Sequence, residues 1–93
     1  MSKSILQEND EICFLCGGYG ACEWHHIYGG ANRKLSEKYG LKVRLHHNCH
    51  NESPDGVHYS KQVMDYLRET GQKAFIKAYP ELDFIKIFGV NYL

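Results

Sequence analysis

Two short motifs supply side chains that bind transition metals. Cys13-x2-Cys16 is followed by two glycines, and His46-x2-Cys49 repeats the same spacing further along the chain. Thiolates and an imidazole from two such turns form the tetrahedral set that is typical of structural zinc. Cys22 competes with His46 as the fourth ligand. The alternative is that the cysteines are free and buried, packed as small hydrophobic side chains.

Four histidines lie near these motifs and suggest a second kind of chemistry: His25, His26, His50 and His58. His25 and His26 end a predicted strand, where neighbouring side chains leave on opposite faces. One imidazole can therefore bind a cation while the other accepts a proton from water. A single histidine is usually structural, but four of them around a zinc frame favour a functional role.

The elements that must position these residues follow from periodicity and turn signals. Strands are predicted over 21–27 and 41–45, with a short helix over 33–39 between them that Gly40 ends. Two further helices are predicted over 60–70, stopped by Gly71, and 72–79, stopped by Pro80. The apolar tail, 82–93, fits either a helix or a strand. The predicted core residues of the two later helices are Val63, Tyr66, Leu67, Phe75 and Tyr79.

The length of 93 residues predicts a single α+β domain with a thin core that a metal would staple. Within 1–93 we expect a polar lead-in over 1–11, a zinc-containing core over 13–58 and a helical extension over 59–93. The 11 basic and 11 acidic residues give no global electrostatic signature of nucleic-acid binding, so any such binding would use local patches. We find no signal peptide and no membrane span, and expect a reducing cytoplasm in which cysteines serve as metal ligands.

The order of these features resembles the HNH (His-Me finger) endonucleases that carry a treble-clef-like zinc site, and in particular small phage proteins of that kind. The resemblance covers roughly residues 13–75. Besides the motifs above, it includes Tyr28-Gly29-Gly30, Arg33-Lys34, Ser36-Glu37-Lys38-Tyr39-Gly40, His50-Asn51, Gly56-Val57-His58 and Gly71-Gln72. It implies a zinc-stapled ββα-metal core with additional C-terminal helices.

The resemblance also implies roles for the histidines. His25 would bind the catalytic cation, His26 would be the general base, and His50 would be a second cation ligand, with His58 a further candidate. Two positions depart from the family pattern. His46 stands where a cysteine commonly opens the second zinc pair, and 39–41 lacks the middle Asn that helps to orient the base. Asn32 is the candidate replacement.

The implied reaction is hydrolysis of phosphodiester bonds in DNA, with a catalytic divalent cation beside the structural Zn²⁺. Mg²⁺ or Mn²⁺ is expected, and Ni²⁺ or Zn²⁺ also suits histidine ligands. Five basic residues are candidates for phosphate contacts, or else form a solvated face: Arg33, Lys34, Lys38, Lys42 and Arg44.

The expected partners are double- or single-stranded DNA, a phage or host recombination or replication protein, and a second copy of the chain that would cover the apolar tail. The expected location is the cytoplasm of the bacterial host. The alternative function is a catalytically inactive zinc module that binds DNA or protein, because fold alone does not guarantee activity.

Overall fold

A computed structural model describes residues 3–46 and 61–93 of the chain. Its helices and strands follow one another as β1 (Cys22–His26), a single 3₁₀ turn (Gly30–Asn32), α1 (Arg33–Lys38), β2 (Lys42–His46), α2 (Lys61–Ala78) and α3 (Phe84–Phe88). The mixture of helices with an antiparallel sheet confirms the α+β class. Among the described residues, no helix combines the length and apolar character needed to cross a membrane.

The sheet is a hairpin in which β1 and β2 run antiparallel, with Cys22 opposite His46 and His26 opposite Lys42. Both strands were predicted, and each ends within one residue of where we expected it. Side chains alternate between the faces of the hairpin. Val43 and Leu45 are fully buried on one face, and this burial holds the register because a slip by one residue would expose both of them.

The connection between the strands contains α1 and a turn that depends on Gly40. Gly40 has a φ of 71°, in the left-handed region that favours glycine. A Cβ at this position would collide with the carbonyl oxygen of Lys3. The Ile5 N–H donates to the Gly40 carbonyl at 2.9 Å, so the N-terminal segment packs directly on the end of α1. The predicted stop at Gly40 is confirmed.

The N-terminal segment covers the outer edge of β2. Ser4 Oγ donates to the Lys42 carbonyl at 2.6 Å, and the Arg44 N–H donates to Gln7 Oε1 at 2.7 Å. The Phe14 N–H donates to the Arg44 carbonyl at 2.8 Å. These contacts satisfy backbone groups that an exposed edge strand would leave open. The segment predicted as a polar lead-in therefore contributes to the sheet.

The prediction of two helices divided at Gly71 was wrong, because α2 continues from Lys61 to Ala78. Gly71 is buried inside this helix, against Tyr28. A Cβ on Gly71 would lie 2.7 Å from Tyr28 Oη and 3.3 Å from Ile27 Cδ1. The glycine is therefore explained by close packing between α2 and the segment after β1, and not by a helix end.

The apolar tail contains a short helix, which settles the choice between helix and strand for its first half. Asp83 caps α3 by accepting from the Lys86 N–H, and Gly89, with a φ of 78°, ends it. The rings of Phe84 and Phe88 stack with their centroids 4.4 Å apart. Both rings also contact Tyr28, so the tail packs on the core of its own chain.

Of the five core residues predicted in α2 and just beyond it, Leu67 and Phe75 are fully buried. Val63 and Tyr79 are half-buried and pack against the core. Tyr66 was predicted wrongly, since it is 55% exposed. Leu67 and Phe75 lie on the apolar face of this helix, and Tyr66 lies outside that face.

Candidate functional site

The first cysteine motif forms a tight turn. The Cys13 N–H donates to the Gly18 carbonyl at 2.9 Å, and the Gly17 N–H donates to the Cys13 carbonyl at 2.8 Å. Gly17 makes this turn possible with a φ of 75°. The turn brings two side chains that are three positions apart in sequence to one side, as a metal-binding knuckle requires.

The two cysteines of this turn meet His46 at the end of β2. One ligand atom from each of Cys13, Cys16 and His46 lies within 4.8 Å of the others, so the three residues can hold a metal ion. Cys22, the competing fourth ligand, does not belong to this group although it pairs with His46 across the sheet. Cys49, the remaining predicted ligand, lies outside the described residues.

The orientation of the His46 ring determines which nitrogen faces the cysteines. Nδ1 lies 3.2 Å from Cys16 Sγ, and Nε2 lies 3.1 Å from the Tyr19 carbonyl oxygen. A carbonyl only accepts hydrogen bonds, so Nε2 carries the proton and the lone pair of Nδ1 is directed at the thiols. An outer hydrogen bond of this kind is typical of metal-binding histidines. The donor set of two thiols and one imidazole therefore fits a metal ion.

The environment of Cys13 favours the thiolate. Burial alone would raise the pKa of its thiol, but hydrogen bonds from the backbone at Cys16, His46 and Leu15 and from the Cys16 side chain lower that pKa to about 7. A thiolate is the form that binds metal. In Cys22, by contrast, burial and the nearby Cys13 raise the thiol pKa. The thiols of Cys13 and Cys22 therefore differ in the direction of their pKa shifts as well as in their positions.

A second constellation surrounds His26, at the other end of the hairpin. His26 Nε2 lies 2.9 Å from Glu37 Oε1, and the imidazole is 14% exposed. Lys42 Nζ donates to Glu37 Oε2 at 2.7 Å. The Lys42 side chain is only 1% exposed. Hydrogen bonds from Lys42 and then His26 lower the pKa of the Glu37 carboxyl to about 2.

His26 and Glu37 line a surface pocket together with Gly30, Arg33 and Lys34. Arg33 and Lys34 are exposed residues in the first turn of α1, so two of the five predicted phosphate-binding residues border the predicted base. In such a pocket the two cations can bind an anionic group while the imidazole accepts a proton.

The other three predicted phosphate contacts have partners of their own. Lys42 was a candidate either for phosphate contact or for a solvated face, and its side chain is buried and paired with Glu37. Arg44 Nε donates to the Asp10 carbonyl at 3.0 Å, and its guanidinium lies over the Trp24 ring. The Lys38 ammonium lies 5.3 Å from the centroid of the Tyr39 ring.

Asn32, the candidate replacement for the orienting Asn, uses its amide nitrogen elsewhere. Its Nδ2 donates to the Phe88 carbonyl at 3.0 Å, which ties the start of α1 to the end of α3. The side chain that contacts His26 is Glu37. Sequence reasoning missed Glu37 as a functional residue, because its place beside His26 depends on how α1 folds back over the hairpin.

His25 pairs with Val43 across the sheet, and His26 pairs with Lys42. The two imidazoles therefore leave on opposite faces of the hairpin, as predicted for neighbouring strand residues. His50 and His58, the other predicted cation ligands, lie outside the described residues. The catalytic-cation site thus remains a prediction, of which the structure describes only His25.

Comparison of the chain with protein-family models, with curated proteins and with solved structures found no match.

Proposed function

We propose that this protein is a metal-dependent endonuclease that hydrolyses phosphodiester bonds in DNA, with His26 as the general base. The observation that carries the proposal is the pocket in which His26, fixed by Glu37, lies beside Arg33 and Lys34. A base must be held in place, retain some access to water and lie close to the substrate phosphate. The 14% exposure of His26 meets the second requirement without leaving the ring free to rotate.

The division of labour among these residues follows from their charges. Arg33 and Lys34 attract and orient a phosphate through contacts that carry no sequence information. His26 takes a proton from a water molecule, whose oxygen attacks the phosphorus while the bond from phosphorus to the 3′ oxygen breaks, and the leaving 3′ oxygen takes up a proton from solvent. Glu37 contacts His26 directly and Lys42 contacts Glu37, so we assign these two residues to holding the base and not to binding the phosphate.

The proposal includes a catalytic divalent cation held by His25 together with His50 and His58. Mg²⁺ or Mn²⁺ is the expected ion, with Ni²⁺ or Zn²⁺ as alternatives that imidazole ligands accept. When bound, such an ion stabilises the negative charge that develops on the phosphate and on the leaving oxygen. His25 and His26 are neighbours at the end of β1 and leave it on opposite faces, so in this proposal the phosphate lies at the end of the strand.

The proposal assigns the Cys13, Cys16 and His46 cluster to a structural Zn²⁺, with Cys49 completing the tetrahedron. This ion would join the N-terminal turn to the last residue of β2 and so hold the hairpin that carries His25 and His26. We also propose that β1 and β2 are the two strands of a ββα-metal finger.

The biological setting that we propose is phage DNA metabolism or recombination in a bacterial cytoplasm, with DNA as the partner.

The test is cleavage of supercoiled plasmid and of single-stranded DNA by zinc-loaded protein in the presence of Mg²⁺ or Mn²⁺. We expect His26→Ala of matched zinc content to lose cutting by at least about 100-fold, the usual contribution of a general base. Arg33→Ala/Lys34→Ala should weaken DNA binding and cutting together. The double variant Lys73→Ala/Lys77→Ala on α2 is the matched control, since it removes the same charge elsewhere and should cut normally.

The second candidate is an inactive zinc module that binds DNA or protein. The pairing of His26 with Glu37 favours it, because a purely structural histidine makes the same hydrogen bond. The number of metal ions separates the two functions. An inactive module binds only the zinc, whereas the nuclease binds a second divalent ion that His25→Ala removes.

A further inference from the structure

Glu37 lies between a histidine and a buried lysine and uses a different oxygen for each. Oε2 accepts from Lys42 Nζ at 2.7 Å, and Oε1 lies 2.9 Å from His26 Nε2. Lys42 is 1% exposed, so its ammonium is withdrawn from water and needs this carboxylate. The pairing fixes Glu37 from the β2 side, and α1 fixes it through the backbone.

We propose that Glu37 is a positioning residue that holds His26 with its proton on Nε2 and so leaves Nδ1 as the nitrogen that takes a proton from water. An ionised carboxylate only accepts hydrogen bonds, and therefore the nitrogen that faces it must carry hydrogen. The neutral imidazole has one proton, so the lone pair falls on Nδ1. The catalytic part of this inference rests on the proposed nuclease function, whereas the protonation of the ring does not.

Lys42 has a separate part in this arrangement. Its ammonium holds the Glu37 carboxylate in place and lowers its pKa: the hydrogen bond from Lys42 is the largest lowering cause, followed by that from His26. The ammonium also lies 4.8 Å from the centroid of the Trp24 ring, which limits its movement. Lys42 thus acts on His26 only through Glu37. Removing its charge should loosen the carboxylate without changing which nitrogen of His26 carries the proton.

The proposal fills the position that the sequence left open. The orienting amide expected at 39–41 is missing, and Asn32 uses its amide on the Phe88 carbonyl. A carboxylate from α1 orients the base in its place. A carboxylate selects the ring tautomer more strictly than an amide, because an amide can also rotate to present its NH₂ group as a donor.

The experiment combines ¹⁵N NMR of the His26 ring in zinc-loaded protein near neutral pH with the plasmid-cleavage assay. Wild type, Glu37→Gln, Glu37→Asp and Lys42→Met are compared, and Glu81→Gln is the matched control for loss of a carboxylate. In the wild type and in Lys42→Met we expect Nε2 protonated and Nδ1 unprotonated. In Glu37→Gln we expect a mixture of the two tautomers and a kcat about 100-fold lower, with a smaller change in KM. Glu37→Asp keeps a carboxylate and should retain more of both properties than Glu37→Gln.

The two measurements separate the possible failures. A wild-type ring protonated on Nδ1, or a tautomer unchanged in Glu37→Gln, overturns the assignment to Glu37, and the first result is decisive even if the variant does not fold. Cutting by Glu37→Gln at the wild-type rate overturns its role in positioning. If the wild type shows the expected tautomer and cuts no DNA, the nuclease proposal fails and the assignment of the His26 tautomer to Glu37 stands.

Discussion

The two ends of this small protein are held together by different forces. Around Tyr28, the rings of Phe75, Phe84 and Phe88 meet edge-on, tilted or stacked, with centroid distances between 4.4 and 5.9 Å. Around Cys13, which is buried at the edge of the same hydrophobic core, there is no comparable ring cluster within the described residues, and hydrogen bonds and three potential metal ligands shape the turn.

The two ends therefore differ in the source of the free energy that stabilises them. The aromatic end gains free energy from buried area, which is spread over many contacts and tolerates adjustment. With the proposed metal ion bound, the knuckle end around Cys13 would depend on a few ligand atoms, and removal of one of them would disrupt the whole set. The hairpin lies between the two ends, so the position of His26 depends on both.

The largest expected effect is loss of the zinc ion that we propose at Cys13, Cys16 and His46. Structural zinc in small domains contributes roughly 10–16 kcal/mol, which exceeds the usual net stability of a domain of this size. Chelation, or Cys16→Ser, should therefore abolish the cooperative thermal transition followed by circular dichroism. Mass spectrometry of the native protein should show one zinc in the wild type and none in Cys16→Ser.

Cys22→Ser is the control for this experiment, because Cys22 is opposite His46 in the sheet but outside the cluster. It should keep both the zinc and the transition. If verified zinc-free protein melts at the wild-type temperature, the knuckle end does not need a metal and the contrast between the two ends is wrong.

The aromatic end should respond differently to its own largest deletion. Phe75 is fully buried and contacts four other rings, so Phe75→Ala should lower the free energy of unfolding by about 3–5 kcal/mol. Urea titration of zinc-loaded protein measures this change, and the zinc content should stay at one per chain. Ile76→Ala, on the exposed side of the same helix, should cost less than about 1 kcal/mol. Zinc loss from folded Phe75→Ala would show that the two ends are not separable.

A smaller effect tests the contact between α2 and the residues after β1. Gly71→Ala gains about 1 kcal/mol of helix propensity, but its Cβ would meet Tyr28 Oη at 2.7 Å. We expect a net loss of about 1–3 kcal/mol by urea titration. Tyr28→Phe removes the hydroxyl that donates to the Arg68 carbonyl and should partly relieve the clash. The double variant should therefore lose less unfolding free energy than the sum of the losses in the two single variants. Losses that add strictly would disprove the proposed clash.

The local elements of this fold could be predicted from the sequence because their signals are local. Alternation of apolar and polar residues indicated the second strand, and Gly40 marked the end of α1. Gly71 misled the prediction because a buried glycine in a helix and a glycine at a helix end look the same in sequence. The packing of Tyr28 against Gly71 comes from residues 43 positions apart, which no local pattern reports.

The candidate site shows the same division. The ligand spacing predicted the Cys13, Cys16 and His46 cluster, since that chemistry allows few alternatives. The contacts of Glu37, Lys42 and Asn32 could not be predicted, because each depends on how α1 and the residues beside it pack against β1, β2 or α3. The burial of Lys42 is the clearest case: in sequence it is one basic residue among several, and in the fold it is an internal counter-ion.

The smallest expected effect concerns Glu37 of α1, which pairs with His26 and Lys42 of the hairpin. Folding lowers the pKa of Glu37 from 4.5 to about 2. Its contribution to stability is therefore complete above pH 4.5 and is lost as the pH falls toward 2. Because the side chain is 31% exposed, solvent screening limits this contribution to about 1 kcal/mol. Acid also protonates the zinc ligands, so the quantity to measure is the difference in unfolding free energy between wild type and Glu37→Gln at each pH. That difference should shrink between pH 4.5 and pH 2, whereas the difference between wild type and Glu81→Gln should change less. A wild-type advantage that stays constant through this range would mean that the carboxylate of Glu37 does not stabilise the fold through its charge.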